Sequence, residues 1–186
     1  MTVTKTSKNV PAEIRTLIKK LENDSRVLRM HENFSKFDFY NLPIKELKSE
    51  IQTLHTTRSM RTLKLTDADF HNSIIEASLH DQAIRSRLTE ISLQTYRAEK
   101  SLIQTMAALK DYLVVNYSDA LAVLKTKEER LRVIDVILSD FAKYAEHAAM
   151  IQNMATLIVK DIDQASWSIK STIEVLKMWS LKEKTI

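Results

Sequence analysis

Glycine is missing from all 186 residues, where ordinary usage of about 7% would supply roughly 13. Glycine is the default residue for positive φ, for helix C-termini and for backbone lying close against a phosphate. Its absence excludes phosphate-cradling loops, nucleophile elbows and most tight hairpins. Cysteine is absent too, which removes disulfides, thiolate catalysis and cysteine-bound metals and fits synthesis in a reducing, cytoplasmic setting. The two prolines, Pro11 and Pro43, lie in the first quarter, so no strong helix breaker follows residue 43. No apolar run reaches the roughly 18–20 residues of a membrane-spanning helix. The polar start, Met1 to Val10, lacks the hydrophobic stretch of a secretory signal.

What remains is ordinary in bulk, 44% hydrophobic and 28% charged with a net charge of +4, but uneven along the chain. Residues 1–61 carry 12 Lys/Arg against 7 Asp/Glu, residues 62–115 carry 6 against 7, and residues 116–186 carry 10 against 10. The basic excess belongs to the N-terminal third, where it can steer an acidic partner.

Apolar spacing predicts helices throughout. Ile14, Leu17, Ile18 and Leu21 form one stripe after Pro11, which favours the first helical position, and define a helix over 12–22. Asn23–Asn41 is weaker in helical period and dense in aromatics, and reads as an irregular connection. A second helix follows from Pro43 to about Arg61 on Ile44, Leu47, Ile51 and Leu54. Thr66–Asp69 resembles a capping box. It opens a seam running from Phe70 to Leu113, with Asp81 and Thr95 as its polar positions. A helix over 67–114 would measure about 70 Å and behave as a coiled-coil-like element.

Asn116-Tyr-Ser-Asp119 is the turn signal, since asparagine tolerates the left-handed conformation. A short helical turn is expected within 119–125. Thr126-Lys-Glu-Glu129 is a second capping box. The seam resumes at Leu131 and shifts phase slightly before reaching Leu176, leaving open whether this stretch is one helix or two. Two long helices with a short connection pack antiparallel. The expected fold is therefore all-α: a long antiparallel helical hairpin over 66–186 with its turn near 115–126. Two shorter helices belong to a basic appendage over 1–65, and a four-helix arrangement results where they fold back. The hairpin has more apolar residues than two helices can bury, so a homo-oligomer or a protein partner is expected.

Chemistry is sparse. His31, His55, His71, His80 and His147 never fall at i, i+3 or i+4 from one another, so no metal site is expected. No nucleophile–base arrangement is present, and the expectation is no enzyme and no cofactor. Bases interleaved with aromatics in Arg26-Val-Leu-Arg29-Met-His-Glu-Asn-Phe34-Ser-Lys36-Phe37-Asp-Phe39-Tyr40 match the way single strands are held, charge tracking phosphate and rings stacking bases. Candidate nucleic-acid contacts are Arg26, Arg29, Lys36 and Phe37, with Arg58 and Arg61 ending the next helix. The plainer reading makes the aromatics anchors onto protein, so Phe34, Phe39 and Tyr40 are candidate partner contacts. So are Trp167 and Trp179, which fall on different faces of the last helix, one expected in the core and one on the surface.

The charged helix start Lys127-Glu-Glu-Arg130 and the stretch Asp161-Ile-Asp-Gln-Ala-Ser-Trp-Ser-Ile-Lys170-Ser-Thr-Ile-Glu174-Val-Leu-Lys177 give the C-terminal third a recognisable pattern. It resembles the small helical accessory proteins of tailed bacteriophages, and among them the UvsY-type recombination mediators. The resemblance implies an oligomeric, non-enzymatic protein in the host cytoplasm that binds single-stranded DNA and helps load a recombinase. A structural component of a virion or other assembly, or a protein-binding adaptor, is the alternative.

Overall fold

The computed structural model describes residues 11–36, 42–63 and 70–183. Among them the regular structure is helical, without strands: α1 (Ala12–Glu22), α2 (Ser25–Lys36), α3 (Ile44–Thr56), a 3-10 turn (Ser59–Thr62), α4 (Phe70–Asn116), α5 (Ser118–Leu121), α6 (Lys127–Ile137) and α7 (Ser139–Glu183). The all-α expectation holds. The Thr66–Asp69 capping box lies outside the described residues.

Two compact units divide the chain. The first comprises residues 1–42 and 97–148, the second residues 43–96 and 149–186. Each takes a short N-terminal stretch together with part of α4 and part of α7.

In the first unit, α1 and α2 cover the second part of α4 and the α6–α7 start. Leu17, Leu21, Val27 and Met30 join Leu109, Leu113, Ile134 and Phe141 in one buried cluster. Each such side chain contributes about 1.5–3 kcal/mol by leaving water. Lys110 of α4 reaches Asp135 of α6 at 2.7 Å. The Thr126 capping box forms as expected. Its hydroxyl accepts from the Glu129 N–H at 3.1 Å, and the Glu129 carboxylate accepts from the Thr126 N–H at 3.3 Å.

Two local features differ from the sequence expectation, and a third answers a point the sequence left open. The aromatic-rich connection contains a helix, α2, started by Asp24, whose Oδ1 accepts the Arg26 N–H at 2.7 Å as N-cap residues do. The turn after Asn116 uses no left-handed residue: Tyr117 sits at φ −115°, ψ 22°, and no described residue has positive φ. The helix after Thr126 is two helices separated by Leu138 alone, at φ −90°, ψ 3°. Val133, Ile134, Ile137, Leu138 and Phe141 are buried on both sides of that break, as the i, i+3, i+4, i+7 spacing of an inward face requires.

In the second unit the first part of α4 runs antiparallel to the second part of α7. Arg85 faces Asp163 at 2.7 Å, and Ser92 faces Thr156 at 3.3 Å. Leu47 and Ile51 of α3, Ile84, Leu88 and Ile91 of α4, and Ile151, Ala155 and Ile162 of α7 are buried. α3 is also tied to α4 by the forked pair of Arg87 with Glu50, at 2.6 and 3.1 Å. These contacts hold the Arg87 guanidinium more firmly protonated than usual, first through Glu50 and then through Glu90. Both polar seam positions are buried, Thr95 bonding back to the Ile91 carbonyl at 2.8 Å.

Candidate functional site

The candidate bases separate by environment. In the first unit, Arg26 and Arg29 are exposed on α2. The Arg26 guanidinium lies 3.8 Å from the Tyr112 ring centroid, and Lys20 of α1 lies 5.8 Å from that of Tyr117. Both rings belong to one polar cluster, because both hydroxyls donate to Asp24 Oδ2, Tyr117 at 2.7 Å and Tyr112 at 3.3 Å. Burial pushes the Asp24 carboxyl up, but bonds from Tyr117, from the N–H groups of Arg26 and Val27, and from Tyr112 outweigh it and hold it below its ordinary value. The Asp24 bond, aided by burial, raises the Tyr117 hydroxyl to about 12, so it stays a donor at any physiological pH. The outcome is a cation over a ring on each side of a buried carboxylate, with guanidinium and ammonium groups at the surface.

Phe34, expected as a partner anchor, packs within the first unit. It lies edge-on to Phe141 at 5.3 Å and to Tyr144 at 4.8 Å. His31 covers the same Phe141 at 4.5 Å. The Tyr144 hydroxyl donates to the Leu42 carbonyl at 2.9 Å, and burial raises it to about 12. The side chain of Lys36, and Phe37, Phe39 and Tyr40 entirely, lie outside the described residues.

In the second unit, Arg58 departs from its expected role. It is 3% exposed, and its Nε meets Asp81, 1% exposed, at 3.3 Å. A further guanidinium nitrogen donates to Asp161 of α7, and the Ser59 N–H donates to Asp81 at 3.2 Å. A guanidinium enclosed between two carboxylates has no face left for a phosphate, so Arg58 binds its own fold. Arg61 donates to the same Asp161 at 3.0 Å and to His55 Nε2, while Ser59 Oγ meets His80 Nδ1 at 2.9 Å. Arg61, ahead of burial and then with Arg58, keeps the Asp161 carboxyl below its ordinary value. Sequence gave Arg58 and Arg61 as basic residues at a helix end. The carboxylates that hold Arg58 lie 23 and 103 residues away, and the one that holds Arg61 lies 100 away, beyond the reach of any local pattern.

The tryptophans also depart from expectation. Trp167 is 72% and Trp179 68% exposed; neither is in the core, because Ile162 and its helical neighbours already fill the face of α7 toward α4.

Among the described residues no three His, Asp or Glu side chains are placed to hold a metal. A groove of about 180 Å³ in the second unit is lined by Met60, Leu63, Phe70, Ile169 and Ile173. Its two hydroxyls, Ser168 and Thr172, bond to carbonyls of their own helix. Among the described residues, no helix is long and apolar enough to cross a membrane. No family model matches the chain, and no curated protein or solved structure is significantly similar to it.

Proposed function

We propose that this chain is a non-enzymatic helical accessory protein that acts by association, joining copies of itself or another protein and contacting single-stranded nucleic acid. The observation carrying the association is the uncovered apolar surface of α7, where two tryptophans stand more than two-thirds exposed. Large exposed apolar patches mark interaction sites. The nucleic-acid part is supported by Arg26 and Arg29 on α2, with Arg26 stacked on Tyr112 so that its outer plane is free to meet a base or a phosphate. Arg58 plays no part in it. The pattern shared with phage recombination mediators agrees with both halves and would place the protein in the host cytoplasm. A structural role in a virion or other assembly, or an adaptor role, is the second reading. The same apolar face of α7 favours it, since that face serves without any nucleic acid.

Light scattering with and without a single-stranded oligonucleotide tests the proposal. The expected mass exceeds the 21.5 kDa of one chain, and oligonucleotide binding weakens steeply with salt. Arg26→Ala and Arg29→Ala each flatten that salt slope by about one. Association without oligonucleotide binding selects the structural or adaptor reading. A monomer indifferent to oligonucleotide discards the mediator and the structural reading and leaves only the adaptor.

A further inference from the structure

Ile162 is buried and sets the inward face of α7 in the second unit. At 100° per residue, Leu157, Trp167, Val175, Met178 and Trp179 fall within about 120° of arc on the opposite side. Leu157 is 64% and Met178 58% exposed. The five side chains expose on the order of 600 Å² per copy, close to the roughly 800 Å² per partner of a standard stable interface.

The polar residues of this face carry its most specific information. Leu157, Lys160, Gln164, Trp167, Ser171, Glu174 and Met178 recur at alternating spacings of three and four, the period of a helix–helix seam. The series is nearly palindromic in chemistry about Trp167. Lys160 and Glu174 stand seven residues before and after it, Gln164 and Ser171 three and four, Leu157 and Met178 ten and eleven. An antiparallel second helix of the same sequence therefore sets Lys160 against Glu174 twice, amide against hydroxyl twice, and apolar against apolar at both ends and at the centre. A parallel copy would set Lys160 on Lys160 and Glu174 on Glu174, which like-charge repulsion disfavours.

We infer that the outer face of α7 docks a second copy of this chain, antiparallel and two-fold symmetric about Trp167, with Lys160 of each copy paired to Glu174 of the other. This rests on the association half of the proposed function and names its surface, partner and register. Such an isologous contact closes on itself and stops at two copies.

Sedimentation of the full chain over a concentration series tests it by charge exchange. Lys160→Glu or Glu174→Lys alone places like charges at both junctions and raises the dimer dissociation constant about tenfold or more. An equimolar mixture of the two variants regains wild-type dimerisation, because every junction again joins opposite charges. Both positions are exposed, so helicity by circular dichroism stays unchanged. Because the chain has no cysteine, Gln164→Cys mixed with Ser171→Cys forms a crosslinked heterodimer on mild oxidation, while neither crosslinks alone. If the wild type associates but the variants keep its mass, or Gln164→Cys crosslinks to itself, this face or register is wrong while the association reading stands. A wild type that stays monomeric overturns this inference and the self-association on which it rests.

Discussion

The two units solve the same problem, a buried carboxylate, in opposite ways. In the first, Asp24 is surrounded by neutral donors, two tyrosine hydroxyls and two backbone N–H groups. In the second, Asp81 is held by a buried guanidinium that also reaches Asp161. Neutral donors stabilise one anion without requiring a second buried charge. A buried ion pair requires both partners, since removing either leaves the other desolvated and unpaired. The first unit adds an aromatic cluster on Phe141 and closes over its core. The second leaves α7 uncovered on the side away from α4.

The largest expected effects fall on one residue in each unit. Arg58→Ala costs about 3–5 kcal/mol by stranding Asp81, and Arg58→Met combined with Asp81→Leu recovers most of that loss. Urea unfolding measures both. A cost below 1 kcal/mol for Arg58→Ala would mean the pair is not buried in solution. Phe141→Ala costs a similar 3–5 kcal/mol, but by opening a cavity, and no second substitution that removes a charge repairs it.

Next comes Asp24→Ala, at about 2–3 kcal/mol, because it removes an N-cap and leaves two tyrosine hydroxyls without their acceptor. Tyr117→Phe, measured beside it, costs about 1 kcal/mol. Equal costs for the two would show that capping contributes nothing. Acid titration then compares the units directly. The Asp24 and Asp161 carboxyls both lie below the ordinary 3.8. Their contribution is therefore complete above that value and disappears as pH falls through the lower folded-state value. Stability should decline below about pH 4, with Asp24→Asn and Asp161→Asn each flattening part of the decline. The smallest effect is Thr126→Ala, about 1 kcal/mol from the lost capping box, read as a shift in melting temperature.

The long helices α4 and α7 were legible in the sequence because their information is periodic. α1 and the Thr126 cap fall where spacing and capping chemistry put them, and Asp81 and Thr95 were visible as polar residues in an apolar seam. α2 was obscured because the aromatics Phe37, Phe39 and Tyr40 interrupt the helical period that Val27, Met30 and Phe34 keep on one face behind the Asp24 cap. Arg58 could not be read, since its environment is made by Asp81 and Asp161, brought in by tertiary packing. The tryptophans misled for a related reason. An aromatic in a helix implies burial only when the facing surface exists, and Ile162 had already occupied it.

Every described backbone angle stays in territory open to all L-residues. The bends near residues 57, 117 and 138 are therefore selected by what their side chains touch, not by stereochemical necessity. The positions least open to single substitution are set by charge and not by backbone: Asp24 capping α2, Arg58 just before the 3-10 turn, and Asp81 inside α4.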